Sequence, residues 1–176
     1  MTGAHPDRLS RLVPVPTYRG TPATVICDVR GVDLSGGRQD VPVVGSGRWT
    51  LLVFLASGCD GCREFFEAAG DPVGAGLVTD ESVVVVTRGP DREDRGALGR
   101  LAAPGTRLVM SDEAWAAYRV LGPPFFVLAD GSRSRAVTEG VAWGVAQVAS
   151  HIQAARAGLA GPEVPRLGSA PDDGGR

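Results

Sequence analysis

The 176-residue sequence predicts an α/β protein in three layers, a central mixed sheet flanked by helices with a β-hairpin extension at its N-terminal side. Three observations carry that prediction. Strand-like and helix-like segments alternate through the middle of the chain. Residues 49–56 (WTLLVFLA) and 82–87 (SVVVVT) are almost continuously apolar, as strands covered on both faces are. The last elements read as a hairpin followed by a helix, which adds antiparallel strands to a mostly parallel sheet.

The elements follow in order. Residues 1–22 are rich in Pro, Thr and Arg and predict an irregular lead-in. Residues 24–29 predict a strand. Turn chemistry from Asp33 to Arg38, centred on Gly36-Gly37, returns the chain into a second short strand over 40–44. Ser57-Gly58 breaks the apolar run, and residues 59–69 have helical character with Phe65 and Phe66 turned inward. Residues 91–102 predict a helix whose early acids suit the helix dipole, ended by Pro104-Gly105. A short strand over 107–110 leads to Ser111 or Asp112, either of which can cap a helix carrying core residues Trp115 and Tyr118. Residues 125–129 predict a strand, Asp130-Gly131 a hairpin, and residues 135–141 its partner. Residues 142–157 predict the last helix, with Val145, Val148, Ala149 and Ile152 on one face. Trp143 is expected to cap that helix by packing, and His151 to face solvent. One domain is thus expected over 23–157, followed by a disordered Gly-, Pro- and Asp-rich tail over 158–176.

Composition narrows the function classes. The 18 basic residues nearly balance 20 acidic ones, and no basic patch alternates with aromatics, which argues against nucleic acid as a partner. All basic residues are arginine, a usage typical of a GC-rich bacterial genome, so no lysine is present to serve as nucleophile or base. The first 20 residues lack a signal-peptide core, and no apolar run is long enough to span a bilayer. The expectation is a cytoplasmic protein with no membrane segment, where closely spaced cysteines are more often catalytic or metal-binding than structural.

The strongest chemical signal is Cys59-Asp60-Gly61-Cys62. Two cysteines three apart at a helix start lie on one turn, close enough to join. Unpaired backbone N–H groups there favour thiolate at the first sulfur, and thiolate is the species that attacks a disulfide. Cys59 is therefore the expected nucleophile and Cys62 the resolving thiol. A CxxC after a buried strand and opening a helix is the thioredoxin-type redox pattern. The alternative, half of a zinc site, needs two further ligands. Only Cys27, His5 and His151 remain, none at ligand-pair spacing. No cofactor is called for. Cys27, alone on an apolar segment, reads as a small buried hydrophobe.

Gly122-Pro123-Pro124 before the strand at 125–129 is the second signal. With it the chain resembles the thioredoxin superfamily, and most closely its TlpA-type and methylamine-dehydrogenase-accessory branch. The resemblance covers about residues 49–157, with the hairpin of residues 24–44 fitting the TlpA-type extension more loosely. It implies a three-layer thioredoxin-like sandwich and a cis-proline at Pro124 facing the CxxC. It further implies a substrate strand held near Pro123, Gly58, Asp60 and Gly61. A disulfide-bearing protein or small thiol would be the substrate, and an upstream reductase the electron donor.

The departures from that pattern are specific. Gly58 stands where the family usually has Trp, which opens the site. Val53 replaces a buried Asp six residues before the first cysteine, so water, Glu64 or Glu67 would have to take the Cys62 proton. Pro123 has no N–H to offer a substrate strand. Asp60 opposes thiolate at Cys59 while the helix end favours it and Arg63 partly offsets it. A reducing couple is the expectation. Competing readings are a peroxiredoxin-like peroxidase, whose Pro and Thr before the cysteine are absent here, and a non-enzymatic interaction or metallochaperone module.

Overall fold

The computed structural model of the chain describes residues 24–160. The expected lead-in over residues 1–22, with His5, and the expected tail beyond residue 160 lie outside the described residues. Seven strands form one sheet: β1 (Val29–Val32), β2 (Arg38–Val41), β3 (Trp49–Phe54), β4 (Ser82–Thr87), β5 (Leu108–Met110), β6 (Phe125–Asp130) and β7 (Arg135–Val141). The helices are α1 (Arg63–Ala68), preceded by a 3-10 turn over Asp60–Cys62, α2 (Arg95–Leu101), α3 (Asp112–Ala117) and α4 (Val145–Ala160). Spatial order across the sheet is β2-β1-β5-β4-β3-β6-β7. β3, β4 and β5 run parallel, while the other neighbours are antiparallel.

Alternation along the central strands divides the interior into two cores. Leu51, Val53, Val85, Phe126 and Leu128 face the side covered by α1, α2 and α4, where Phe65, Phe66, Leu98, Val148 and Ile152 meet them. Leu52, Phe54, Val84, Val86 and Val127 face α3, with Trp115 and Tyr118. Both faces of β3 and β6 are therefore buried, the expected cause of their apolar runs. The three layers are those the sequence predicts.

Two helices begin with side-chain caps. The Asp94 carboxylate accepts from Ala97 N at 2.9 Å and the Ser111 hydroxyl from Ala114 N at 3.0 Å. A clasp joins α4 to the chain just before β4. The buried Glu81 carboxylate accepts from Arg156 Nε at 2.6 Å and from Thr79 N at 2.8 Å, and the Arg156 guanidinium also bonds Asp80.

Several boundaries differ from the expectation. Residues 24–28 are not strand. The Cys27 amide donates to the Tyr118 hydroxyl at 3.1 Å, and that hydroxyl donates back to the Cys27 carbonyl at 2.5 Å. The Asp28 carboxylate accepts from Val43 N and Val44 N. Side chains thus take the backbone partners that a ladder would supply, and β1 starts only at Val29 and ends where the turn begins. Residues 91–94 lie outside α2, because Asp94 caps it from an extended backbone. α4 starts at Val145, three residues late, and continues to Ala160. Trp143 precedes α4 and is 83% exposed, so it does not cap by packing. Instead the Gln147 side-chain carbonyl accepts from Trp143 N at 2.9 Å. His151 is half-buried, its ring 5.5 Å from that of Phe126.

The N-terminal hairpin joins the sheet by a narrow seam, the single register pair Val32↔Met110. Gly31 is required there, since a Cβ would overlap the Met110 carbonyl oxygen.

Two predictions follow from this packing. Phe54, fully buried, lies 5.8 Å from the Trp115 ring and 5.4 Å from that of Tyr118. Phe54→Ala should cost about 3–5 kcal/mol in urea denaturation. At Asp130, burial opposes ionisation, but bonds from the Ser132 hydroxyl and from the Arg133 backbone and guanidinium outweigh it and lower the carboxyl. Its contribution is full above the unfolded value, roughly pH 4, and is lost as pH falls through the lowered folded value. Asp130→Asn should flatten that acid loss when urea midpoints are compared across pH 2–6.

Candidate functional site

The site starts from strand register. β3 and β6 pair antiparallel with Phe54 opposite Phe125, so the end of β3 lies beside the start of β6. The chain leaving β3 carries the cysteine motif, and the residue entering β6 is Pro124. Both reach the same edge of the sheet. Beyond β3, Leu55 N still donates to Val86 O at 3.1 Å, extending the β3–β4 ladder by one residue. Cys59 then takes an extended backbone (φ −105°, ψ 111°), and its carbonyl accepts from Cys62 N at 3.0 Å. The helical start predicted at residue 59 is thus a 3-10 turn, with α-helix only from Arg63.

That turn brings Cys59 and Cys62 together. Their Cα atoms are 5.3 Å apart and their sulfurs are joined as a disulfide. The two are unequal in access. Cys59 is half-buried at the front of the turn, while Cys62 is fully enclosed against the α1-side core. Gly58 is exposed, and a Cβ built there would meet nothing within 4 Å. The site is open where the resemblance expects an aromatic side chain.

The Pro123–Pro124 peptide bond is cis. A Cβ on Gly61 would lie 3.7 Å from Pro124 Cγ, so the proline ring abuts the cysteine turn. The Pro124 carbonyl accepts from Ala142 N at 2.9 Å, which ties the next turn of chain to this loop. Gly58, Asp60, Gly61, Pro123 and Pro124 are all at least partly accessible around the disulfide.

The surrounding charges are distributed on the rim. Val53 lies in the same buried core as Cys62, with no acid in its place. Glu64 and Glu67 are exposed, whereas Cys62 is enclosed. They line a shallow groove of about 430 Å³ with Asp71 and Val145. Glu64 approaches Gly144, where a Cβ would lie 3.2 Å from its Oε1.

Sequence reasoning missed Glu93. Its carboxylate accepts from Ser57 N at 3.0 Å and from the Ser57 hydroxyl at 2.6 Å. It pins the turn two residues before Cys59, which Gly58 alone would leave loose. Glu93 stands among the early acids of the segment 91–102, and only tertiary contact reveals its partner.

Cys27 is not brought to the site. It packs on the α3 side of the sheet, the face opposite Cys59 and Cys62. Burial raises its thiol above the ordinary value, and neighbouring Asp28 and Glu113 add to the rise against the Tyr118 hydrogen bond. Among the described residues, no three His, Cys, Asp or Glu side chains are grouped to hold a metal, and no helix is long and apolar enough to cross a membrane.

No family model matches this chain, and no curated protein matches it by sequence. Solved structures do match. One is a secreted disulfide oxidoreductase from Mycobacterium tuberculosis, described as homologous to E. coli DsbE. It is 19% identical, with TM-score 0.56, over 72% of this chain and 95% of that one. A thiol:disulfide interchange protein of the thioredoxin family from Chlorobium tepidum is 16% identical, TM-score 0.56, over 75% and 95%. StoA from Bacillus subtilis is 15% identical, TM-score 0.53, over 74% and 98%. At these identities the likeness establishes the fold, which is thioredoxin-like.

The difference in access predicts an order of thiol reactivity. After reduction, brief iodoacetamide treatment at pH 7.5 should label Cys59 first, Cys27 more slowly and Cys62 last, read by peptide mass spectrometry. In urea the three rates should converge.

Proposed function

We propose that this chain is a thiol–disulfide oxidoreductase of the thioredoxin superfamily, working through the Cys59–Cys62 pair. The observation that carries the reading is the pair itself: two sulfurs joined across one 3-10 turn, the outer accessible and the inner enclosed, with the cis-proline ring against the turn. The solved structures of the same fold include one named as a disulfide oxidoreductase and one named as a thiol:disulfide interchange protein, which supports the assignment.

The chemistry follows from the inequality. In the reduced chain the Cys59 thiolate attacks one sulfur of a substrate disulfide. A Cys59–substrate disulfide forms and the other substrate sulfur leaves as thiolate. Cys62, deprotonated by water that reaches the open turn, then attacks Cys59. The internal disulfide closes and the second substrate thiolate is released. Two electrons pass from the dithiol to the substrate, and the two cysteine protons end on its two thiols. An external dithiol reductase restores the pair by the reverse exchange.

Pro124 shapes the surface on which the substrate sulfur lies. The Pro123 carbonyl can accept from a substrate strand, but its nitrogen cannot donate. Asp60, beside Cys59, disfavours thiolate and supports a reducing couple. A reducing compartment such as the bacterial cytoplasm suits that direction of flow. Trapping cellular thiols before lysis should find the pair mostly reduced. Equilibration with glutathione that gave a potential as oxidising as protein disulfide isomerase, about −180 mV, would overturn the reducing assignment.

The central test is insulin reduction with dithiothreitol as donor. The wild-type chain should accelerate precipitation, and Cys59→Ser should fall to the uncatalysed rate. Cys62→Ser should instead accumulate a mixed disulfide visible by mass. Equal rates for wild type and Cys59→Ser would remove the enzyme reading.

A further inference from the structure

Residues 88–94 join β4 to α2 and are fastened at several points. Arg88 and Arg92 both pair with Asp112, at 3.7 and 3.8 Å. Gly89 lies so close to the Asp112 carboxylate that a Cβ there would overlap it. Arg92 N donates to the Gly89 carbonyl at 2.9 Å, and the Asp94 carboxylate caps α2. Glu93 therefore reaches Ser57 from a built loop, and it accepts from both the Ser57 amide and the Ser57 hydroxyl.

The place where it attaches bears on the chemistry. Two successive turns share Cys59. Cys59 N donates to the Ala56 carbonyl at 3.3 Å, and Cys62 N donates to the Cys59 carbonyl at 3.0 Å. Both amides are thus taken by carbonyls, and α1 is only six residues long, so the helix lends a thiolate at Cys59 little support. Nearby charges then weigh more. To Asp60, Arg63 and Glu64 of the motif's own turn and helix, the fold adds Glu93 from another element. The arginines of that element are turned elsewhere. Arg88 and Arg92 go to Asp112, and Arg95 extends toward Gly36 at the hairpin tip. Among the described residues, none of them pairs with Glu93.

We propose that Glu93 is a positioning residue for Cys59: fixed on Ser57, its carboxylate holds the turn that enters the motif, and its charge disfavours the Cys59 thiolate. This rests on the oxidoreductase reading and names how the same site is tuned. The disulfide carries no charge on its sulfurs, whereas the reduced pair does once Cys59 loses its proton to water. A fixed negative neighbour therefore destabilises only the ionised reduced form. The balance moves toward the disulfide, and the dithiol gives up its electrons more readily. The same bonds that order the open turn at Gly58 thus also keep the carboxylate from swinging into solvent, where its effect would be screened.

The test separates charge from anchorage. In a Cys27→Ser, Cys62→Ser chain, thiolate absorbance at 240 nm titrates Cys59 alone. Glu93→Gln keeps an oxygen that can accept from Ser57 but removes the charge, and it should raise the thiolate fraction below the midpoint about threefold. Glu93→Asp, which keeps the charge one methylene back, should recover most of the unsubstituted titration. In the chain with all three cysteines, equilibration with glutathione at pH 9 should move about threefold toward the dithiol in Glu93→Gln, about 14 mV less reducing. At pH 5.5, where the thiols are protonated, that difference should vanish. A Glu93→Gln chain that titrates like the unsubstituted one, with Glu93→Ala alone altered, would reduce Glu93 to a structural anchor and overturn the proposal. An equal shift in glutathione equilibrium at both pH values would overturn it as well. Insulin reduction keeps the two readings apart. The expected thiolate shift in a chain without insulin turnover defeats the oxidoreductase reading alone. Normal turnover without the shift defeats the role of Glu93 alone.

Discussion

One rung across three strands sets the geometry on which everything chemical depends. Phe54 of β3 stands opposite Phe125 of β6, and Phe125 opposite Val141 of β7. Five residues beyond Phe54 is Cys59, one before Phe125 is Pro124, and two beyond Val141 is Trp143. Because both pairings are antiparallel, all three arrive at the same edge of the sheet. The rung is held from the α3 side, where Phe54 meets Trp115, Tyr118 and Phe125 ring to ring. Register is well defined there, since a one-residue slip would turn Phe54 into the other core. The core that fixes the site is thus on the far face of the sheet from the sulfurs.

Much of this was legible in the residues. β4 and β7 have the predicted ends, and β3 and β6 follow their apolar runs closely, because strands buried on both faces leave a compositional mark that needs no partner to be seen. The CxxC and the prolines before β6 were readable for a similar reason: their chemistry is local. Ser111 was one of two candidate caps, and Asp112 instead sits in the first turn near Arg88 and Arg92.

What the residues concealed depends on distant partners. Residues 24–28 look like a strand, but Tyr118, 91 residues away, occupies the Cys27 backbone, and the Asp28 carboxylate takes the Val43 amide 15 residues away. Glu93 and Ser57 are 36 residues apart, and nothing in either neighbourhood announces the other. Arg156 lies 75 residues from Glu81. Trp143 misled for the opposite reason. An indole next to a helix start suggests burial, yet Gln147 holds the turn by its backbone and leaves the ring outside. His151 likewise reads as polar and lies against Phe126.

The hairpin β1–β2 meets the rest of the sheet along a seam so tight that only a residue without a side chain fits at position 31. Its valines Val29 and Val41 lie in the α3-side core, and Val32 packs against the core on the other face. The cysteine turn, the proline loop and the indole all stand on β3, β6 and β7, on the other side of β4 and β5 from that seam. The architecture is therefore modular. An evolving chain could lengthen, exchange or decorate the hairpin tip around Gly36 while the redox edge kept its shape, provided that position 31 stayed bare.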